Sequence, residues 1–418
     1  MNLSVFDQTE SEVRSYIRSF PTVFTTAKGS KLTDEDGREY IDFFCGAGAV
    51  NYGHNDPDIQ EAVIEFLRSD QLQHALDMAT TSKRHFLELF RDRILAPRGL
   101  DYRVQFTGPT GANTVEAALK LARMATGRTG VVAFTHGYHG LSLGALAATA
   151  NQWFRQAAGT TLNDVTFHPY DGYYGDEIDT VALLRKHIED PSSGLDLPAA
   201  IIVETVQGEG GVNVASAQWL RDLRALCDEY GIVLICDEIQ IGIGRSGKFF
   251  GFEESGIVPD MVTLSKSLSG YGFPMSLLLI KPELDKWQPA MHTGTFRGNS
   301  IAFVGAAKSI EKFWSDDQLE NTIAERADEV VTTLNEIAEQ YPGEFSVRGR
   351  GLLQGLVCEQ DRELAGRISR AAFERGLVVE TAGAYDEVVK IMPTLNGDME
   401  TLKAGLSILR DAVAAARG

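Results

Sequence analysis

Two charged residues stand where predicted strands end, and their types suit one kind of chemistry. Lys266 follows "PDMVTLS" (259–265), and Asp237 follows "IVLIC" (232–236). A buried ammonium or carboxylate loses its water, so each of these side chains needs a partner or a chemical task. One interpretation is a simple buried ion pair. The other is pyridoxal phosphate, which needs a lysine for a Schiff base and an acid beside its ring nitrogen.

A glycine-rich stretch could hold the phosphate that the second interpretation requires. In "FTGPTGANTVEAALK" (106–120), Gly108 and Gly111 free the backbone just before a predicted helix. Backbone N–H groups at a helix N-terminus bind anions without needing a basic side chain. The alternative is an ordinary turn in which Asn113 or Thr114 caps the helix.

The segment "AFTHGYHG" (133–140) offers a flat ring to lie against the cofactor. Tyr138 follows a predicted strand, and the glycines on either side of "YH" would give clearance. His136 and His139 could instead be metal ligands, but neither a carboxylate nor a cysteine ligand signature accompanies them. We therefore predict no metal site.

The residues after Asp237 form a less specific pattern. Gly242, Gly244 and Gly247 match G-x-G-x-x-G after a strand, but "KFFGFEE" follows instead of an amphipathic helix. The context for dinucleotide binding is therefore missing, and the glycines are interpreted as shaping a loop. Glu238, one position beyond Asp237, is predicted to point the other way and to reach solvent.

The elements that must position these residues alternate between helices and short apolar runs. The runs lie at 131–135, 199–203, 232–236, 261–264 and 277–280. Continuous apolar strands separated by helices predict a mostly parallel sheet covered on both faces. Ligands bind such sheets at the carboxyl ends of the strands, where Lys266 and Asp237 are expected.

Local patterns also predict elements outside the sheet and a division into domains. Residues 10–19 could form a helix, and Asp36-Gly37 reads as the turn of a hairpin between two alternating strands. Gly127 is expected to end the helix that begins near residue 113. We predict a large cofactor-binding domain over 51–300 and a smaller α+β domain over 301–418, which the segment 1–50 joins.

Composition excludes several function classes. The 418 residues carry a net charge of −19, which argues against nucleic acid or an anionic membrane as a partner. The acidity is typical of a well-solvated surface, and it also suits a cell rich in salt. The four cysteines form no CxxC pair, and no signal peptide or apolar run of about 20 residues is seen. We expect a cytoplasmic protein.

Motifs along nearly the whole chain resemble one enzyme family. "CDEIQIGIGRSG" and "DMVTLSKSLSGYG" are similar to the signature of class III (omega-type) pyridoxal-phosphate aminotransferases. Other stretches follow in that family's order: "GAGAVNYGHNDP", "ANTVEAALKLAR", "ETVQGEGGV", "HTGTFRGN" and "RGRGLLQG". The resemblance implies the α/β fold of aspartate aminotransferase (fold type I), with a large domain and a smaller α+β domain.

The resemblance also assigns the cofactor to particular residues. It implies that Lys266 is the Schiff-base lysine, that Asp237 holds the pyridine nitrogen protonated, and that Gln240 lies near the ring's 3-hydroxyl. Tyr138 matches the aromatic residue that stacks on the ring. The phosphate group is assigned to Thr110, Gly111, Ala112 and, from the neighbouring subunit, Thr295. That last assignment implies a homodimer or a larger homo-oligomer.

Residues on the substrate side follow the family less closely. Glu204 and Glu209 match acidic residues there, and the second is thought in relatives to switch between an arginine and the substrate carboxylate. Here Lys390 stands in place of that arginine, and Asn113 stands where the family usually has Glu. A lysine cannot make the two parallel hydrogen bonds of a guanidinium.

Three alternatives therefore remain for the residue that binds the α-carboxylate. Lys390 could hold it more loosely than an arginine would, or Arg297 or Arg350 could take over. Lys390 could equally be a plain surface lysine.

Three stretches narrow the resemblance to one reaction. "VRSYIRSFP", "TGPTGANTVEAALKLAR" and "SKSLSGYGFPM" are similar to the family members that move the amino group of L-glutamate to L-aspartate 4-semialdehyde. The products are L-2,4-diaminobutyrate, a precursor of ectoine, and 2-oxoglutarate. The alternatives are a transaminase for 4-aminobutyrate, ornithine or another omega-amine, an aminomutase or decarboxylase, and a non-catalytic binding protein.

Overall fold

Three larger sheets and one short ribbon organise the chain. The computed structural model describes residues 3–417, so the first two and the last residue of the predicted domain ranges lie outside it. Over the described residues the strands are β1 Phe24–Lys28, β2 Lys31–Asp34, β3 Glu39–Asp42, β4 Arg103–Phe106, β5 Val131–Phe134, β6 Val165–His168, β7 Ala200–Val203, β8 Val206–Gln207, β9 Asn213–Val214, β10 Val233–Asp237, β11 Met261–Leu264, β12 Leu277–Ile280, β13 Phe345–Arg350, β14 Leu353–Cys358, β15 Leu377–Val378, β16 Glu380–Ala382 and β17 Val388–Ile391.

Helices connect most of these strands. They are α1 Ser4–Thr9, α2 Tyr16–Ser19, α3 Cys45–Gly48, α4 Pro57–Arg68, α5 Thr81–Leu89, α6 Gly111–Thr126, α7 Leu143–Ala148, α8 Gln152–Arg155, α9 Thr180–Glu189, α10 Ala217–Tyr230, α11 Ser300–Phe313, α12 Gln318–Gln340, α13 Leu364–Glu374 and α14 Met399–Ala416. The predicted helix over 10–19 is wrong for residues 10–15, which are not helical.

The central sheet has seven strands in the order β4-β12-β11-β10-β7-β5-β6. Strands β6, β5, β7, β10 and β11 run parallel, whereas β12 is antiparallel to both β11 and β4. The prediction of a mostly parallel sheet is therefore confirmed. The apolar runs 261–264 and 277–280 coincide with β11 and β12.

Side chains of this sheet alternate between two apolar clusters. Leu234 and Cys236 of β10 pack in the cluster that contains helix α10, while Val233 and Ile235 pack in the cluster that contains helix α6. Because successive strand residues point to opposite faces, an unbroken apolar run is what a sheet covered on both faces requires.

Helix α6 begins one turn earlier than its predicted cap. Thr110 is the N-cap, and its hydroxyl accepts a hydrogen bond from the backbone N–H of Asn113, so the predicted cap at Asn113 or Thr114 is wrong. Gly127 ends the helix at φ +70°, as predicted, because a left-handed residue there is accessible to glycine at little cost.

The N-terminal segment pairs with a strand from the C-terminal part of the chain. Strands β1, β2 and β3 form an antiparallel meander, with Asp36 and Gly37 in the second turn, and β15 adds to β3 in parallel. A separate antiparallel sheet in the order β13-β14-β17-β16 packs against helices α12 and α13. The exact domain limits remain a prediction.

Candidate active site

A cavity of about 310 Å³ lies at the carboxyl ends of the central strands. Asp237 ends β10, Lys266 lies two residues after β11, and Glu204 follows β7 directly. The lining residues are Gly111, Ala112, Tyr138, His139, Gly140, Leu141, Glu204, Glu209, Asp237, Ile239, Gln240 and Lys266. The structure thus brings together eight of the eleven predicted site residues, all except Thr110, Thr295 and Lys390.

Asp237 is held by three donors. Its Oδ2 lies 2.7 Å from Nδ1 of His139, and its Oδ1 accepts hydrogen bonds from Thr263 Oγ1 at 2.9 Å and from the backbone N–H of Ile239 at 3.1 Å. The side chain is 4% exposed. Burial lowers the pKa of His139, but its hydrogen bond to Asp237 and the negative charge of Asp237 outweigh burial, so the net shift is upward. A fixed, anionic Asp237 suits an acid partner for a ring nitrogen.

Lys266 begins a single 3₁₀ turn that ends at Ser269. Its φ is +48°, a conformation that non-glycine residues rarely adopt and that tends to occur at functional sites. Burial is the largest influence on its amine, and it lowers the pKa of Lys266. A lysine with a depressed pKa can be neutral at lower pH than a surface lysine.

Gln240 lines the cavity and carries a buried acceptor without a partner among the described residues. Its Nε2 donates to Glu209 Oε1 at 2.9 Å and to the backbone carbonyl of Ala47 at 3.1 Å. Its Oε1 is buried and has no hydrogen-bond partner among residues 3–417. A Cβ placed on Gly208 would lie 1.6 Å from that oxygen, so a larger residue there would displace the Gln240 amide. An unpaired buried acceptor in a cavity indicates a ligand donor such as a hydroxyl.

The start of helix α6 forms a narrow cradle. Gly111 and Ala112 line the cavity, and a Cβ on Gly140 would lie 2.7 Å from the Cβ of Ala112. Thr110 lies just outside, exposed, and its hydroxyl also accepts from the side-chain amide of Asn113 at 2.7 Å. The departure at Asn113 therefore serves the helix cap, and the backbone is left to bind an anion.

Tyr138 forms part of the cavity wall. Its backbone N–H donates to Glu204 Oε1 at 2.9 Å, and its ring makes an edge contact with Phe154, with centroids 5.5 Å apart. Burial and the charges of Glu209 and Glu204 raise the pKa of Tyr138 to about 12, so its hydroxyl stays protonated. Burial likewise raises the pKa of Glu204 to about 7.

Lys390 is a buried charge beside the cavity, so the surface alternative is wrong. Its Nζ lies 2.7 Å from Glu209 Oε1 and 2.9 Å from Glu380 Oε1, and its side chain is 0% exposed. Burial opposes ionisation of Glu209, yet Lys390 and Lys266 together lower its pKa to about 2. Burial raises the pKa of Glu380 to about 7.

Two residues near this cluster escaped sequence analysis. Glu380 lies within the apolar run "GLVVET", which identified a strand but gave no sign of a site. Tyr16 on helix α2 is about half exposed, and partial burial together with the charges of Glu380 and Glu209 raises its pKa. Tyr16 falls within "VRSYIRSFP", which carried the resemblance but assigned it no role, and Glu380 falls in none of the motifs.

Two other candidates for the substrate carboxylate lie away from the cavity. Arg297 pairs with Asp77 at 3.0 Å, and Arg350 pairs with Glu254 at 3.2 Å. Thr295 is exposed and is not among the lining residues.

The prediction that Glu238 reaches solvent is wrong. Its side chain is 0% exposed, and its Oε2 accepts from the backbone N–H of Gly251 at 2.7 Å. Strand β10 ends at Asp237, so the alternation that would point Glu238 outward stops there, and the chain turns back into the protein. Burial raises the pKa of Glu238 to about 8.

Among residues 3–417, no three or more His, Cys, Asp or Glu side chains are grouped so that they could hold a metal ion. Within the same range, every helix is too short or too polar to cross a membrane.

Known proteins resemble this chain over nearly its full length. The family model for aminotransferase class III matches residues 14–413. A diaminobutyrate–2-oxoglutarate transaminase of Bordetella parapertussis is 56% identical over 415 residues, which cover 99% of this chain and 95% of the relative. Enzymes of the same name from Nocardia farcinica and Vibrio cholerae are 53% and 52% identical, over 98% and 97% of this chain and 94% and 98% of theirs.

Solved structures confirm the predicted fold class. A transaminase from the marine bacterium Virgibacillus superposes with a TM-score of 0.88 at 22% identity, covering 99% of this chain and 98% of its own. An amine transaminase from an uncultivated Pseudomonas species, solved in its PLP-bound form, gives a TM-score of 0.86 at 25% identity, covering 98% of each chain.

Proposed function

The chain belongs to aminotransferase class III, and from this premise we propose that it catalyses transfer of the amino group of L-glutamate to the terminal aldehyde of L-aspartate 4-semialdehyde. The products are L-2,4-diaminobutyrate and 2-oxoglutarate. Eight of the eleven site residues predicted from sequence line one cavity, and this observation supports the proposal most directly. The full-length relatives named for this reaction support the choice of substrates.

The residues of the cavity fit pyridoxal 5'-phosphate. The backbone at Gly111 and Ala112 would hold the phosphate, Tyr138 would lie against the ring, and Gln240 Oε1 would accept from the ring hydroxyl. Asp237 would stand at the ring nitrogen. When bound, the cofactor supplies a ring that withdraws electrons from the substrate carbon.

Asp237 and Lys266 would divide the proton chemistry between them. Asp237, kept in place by His139 and Thr263, keeps a proton on the ring nitrogen through its negative charge. The Lys266 amine would act first as a base and then as an acid. It would remove the proton from the substrate carbon and pass it to the cofactor. Burial lowers its pKa, so the neutral, basic form is more available than on a surface lysine.

Charged groups beside the cavity would select the two substrates. Lys390 is the cation placed to meet a carboxylate, and it is now paired with Glu209. Glu204 adds a carboxyl whose pKa of about 7 lets it be neutral or charged near physiological pH, because burial disfavours the charge. These three side chains are our candidates for distinguishing an α-amino acid donor from an aldehyde acceptor.

A panel of amines tests the reaction. Purified enzyme with added pyridoxal phosphate is offered L-2,4-diaminobutyrate, 4-aminobutyrate, ornithine and L-glutamate, each with its matching keto acid or aldehyde, and products are identified by mass spectrometry. We expect diaminobutyrate to be the best terminal amine and its C4 nitrogen to move. Preference for 4-aminobutyrate or ornithine would refute the substrate assignment, and turnover without a keto acid would indicate another reaction class.

Two substitutions test the chemistry. Lys266→Ala is expected to lose all turnover and the absorbance band of the lysine-linked cofactor, and turnover near the native rate would refute its role. Asp237→Ala is expected to bind some cofactor but to lose about 100-fold or more in rate, the size of a lost electrostatic contact to the reacting group.

The assembly and the setting belong to the same proposal. Thr295 is exposed and lies outside its own chain's cavity, which suits a residue that reaches the phosphate in a partner subunit of a homodimer. A light-scattering mass of one chain in solution would refute this. The acidic surface and the named relatives support a role in ectoine synthesis in the cytoplasm. A gene deletion that leaves ectoine production unchanged would refute that role.

A further inference from the structure

Lys390 has two carboxylate partners that differ in how they are held. Glu209 and Glu380 lie 2.7 Å and 2.9 Å from its Nζ, on different parts of the fold. The Glu209 side chain is 29% exposed and lines the cavity, whereas the Glu380 side chain is 10% exposed and does not line it. A ligand that enters the cavity can therefore meet Glu209 but not Glu380.

The strand register fixes Glu380 to Lys390. The two residues are direct cross-strand partners on the antiparallel strands β16 and β17. On its other side Lys390 is opposite Gly355 of β14, which offers no side chain. Directly opposite residues have Cβ atoms about 5 Å apart, so this pair persists for as long as the sheet does.

Glu209 is held in a different way. It lies at the tip of the short β8–β9 ribbon, between Gly208 and Gly210, and its Oε1 also accepts from Gln240 Nε2. Glu209 and Lys390 do not lie on paired strands. Rotation of the Glu209 side chain alone would open its ion pair, while the backbone of the ribbon stays in place.

We propose that Glu380 is a positioning residue for the substrate carboxylate, holding Lys390 in place and keeping it paired while the α-carboxylate of L-glutamate replaces Glu209. This inference rests on the proposed function. An ammonium has three donors and no fixed fork, unlike the guanidinium expected at this position from the family. The contact with Glu380 is an ion pair without hydrogen-bond geometry, so the ammonium can direct its donors to Glu209 or to the substrate.

The charge balance explains why a second carboxylate is needed. If Lys390 had Glu209 alone, every exchange would pass through a buried, unpaired cation, which is costly. Above the Glu380 pKa of about 7, where this side chain is charged, one carboxylate leaves as another arrives and the ammonium keeps a partner. The terminal carbon of diaminobutyrate carries no carboxylate, so that half-reaction does not require the exchange.

Glu380→Gln tests this by comparing the two half-reactions. The variant keeps the shape of the side chain and removes its charge. We expect the second-order rate of cofactor conversion by L-glutamate to fall about 10- to 100-fold, the lower end of what one close charge pair contributes. The rate with L-2,4-diaminobutyrate should change less than about threefold. Both rates are read as single-turnover absorbance changes.

A binding measurement provides a readout apart from turnover. α-Methylglutamate has no α-proton to lose, so its dissociation constant reports recognition alone, and Glu380→Gln should weaken it by a similar factor. Glu387→Gln makes the same chemical change in the same β16–β17 hairpin, where Glu387 accepts from the backbone N–H of Tyr385, and it should leave both rates unchanged.

Each outcome decides the inference. An equal fall in both half-reactions would mean that Glu380 is only structural, and native rates in both would mean that it is not needed; either result overturns the proposal. If Glu380→Gln does not fold, Glu380→Asp keeps the charge but shortens its reach, and the same selective loss is expected. Native enzyme that ignores diaminobutyrate would refute the proposed function instead.

Discussion

Replacing the buried carboxyl of Glu238 by an amide should remove a large pH dependence of stability. Glu238 is fully buried, and its Oε1 and the Thr205 hydroxyl have no hydrogen-bond partner among the described residues. A Cβ placed on Gly251 would lie 2.4 Å from that hydroxyl and 3.2 Å from each Glu238 oxygen. The carboxyl thus has little to stabilise its charge apart from the N–H of Gly251 and the positive charge of Arg350.

The size of the effect follows from the pKa of this group in the two states. Burial raises the pKa of Glu238 from 4.5 to about 8. The folded protein therefore holds the proton more tightly, and the stability that this provides is complete below pH 4.5 and is lost as the pH rises to about 8. At about 1.4 kcal/mol per pKa unit, the loss between roughly pH 5 and pH 8 is about 3 to 4 kcal/mol.

Urea unfolding of the enzyme with its cofactor, repeated across this pH range, measures the effect. Other carboxyls titrate in both proteins, so the informative quantity is the free energy of unfolding of Glu238→Gln minus that of the native enzyme. This difference should grow in favour of the variant as the pH rises. Glu339→Gln makes the same change at an exposed position and should give a constant difference. A constant difference for Glu238→Gln would refute the reasoning.

Three further predictions concern the cavity. Because burial raises the pKa of Glu204 to about 7, this side chain becomes negatively charged as the pH passes 7, and the KM for L-glutamate should rise there by a few-fold. The KM of Glu204→Gln should not change with pH in this range, and the same rise in the variant would contradict the prediction. Gly208→Ala would put a Cβ 1.6 Å from Gln240 Oε1, so the affinity for the cofactor, measured by absorbance titration, should fall about tenfold or more. Gly130→Ala, whose Cβ would have its nearest contact at 3.8 Å, is the control, and equal affinities of the two variants would refute the prediction. His139→Phe should lower the rate by about tenfold with the cofactor still bound, because Asp237 loses a partner at 2.7 Å, and a native rate would show that His139 does not orient it.

Sequence patterns predicted the parts of the site that depend on strand ends. Asp237 and Lys266 each follow an apolar run. This pattern predicted that both lie at the same edge of the sheet, because the carboxyl ends of parallel strands meet there. The resemblance to the family then named Gln240 and Tyr138, which also line the cavity.

The parts that depend on strand pairing were missed. Nothing in the sequence near Glu380 says that it faces Lys390, because that contact arises from the register of two strands. The antiparallel direction of β12 could not be predicted either, since an apolar run of four residues has no direction. The predicted exposure of Glu238 is wrong because the alternating direction of strand side chains does not continue past the end of β10 at Asp237.

The ion pair between Glu209 and Lys390 joins positions 181 residues apart in the chain. A ribosome adds residues in order, so Glu209 must wait for most of the following polypeptide before its cation emerges. During that interval Glu209 lacks its ion-pair partner, and only Gln240 and Lys266 are available to offset its charge. Capture of the cofactor is therefore expected to be a late event in biosynthesis, after the last strand of the C-terminal sheet has left the exit tunnel.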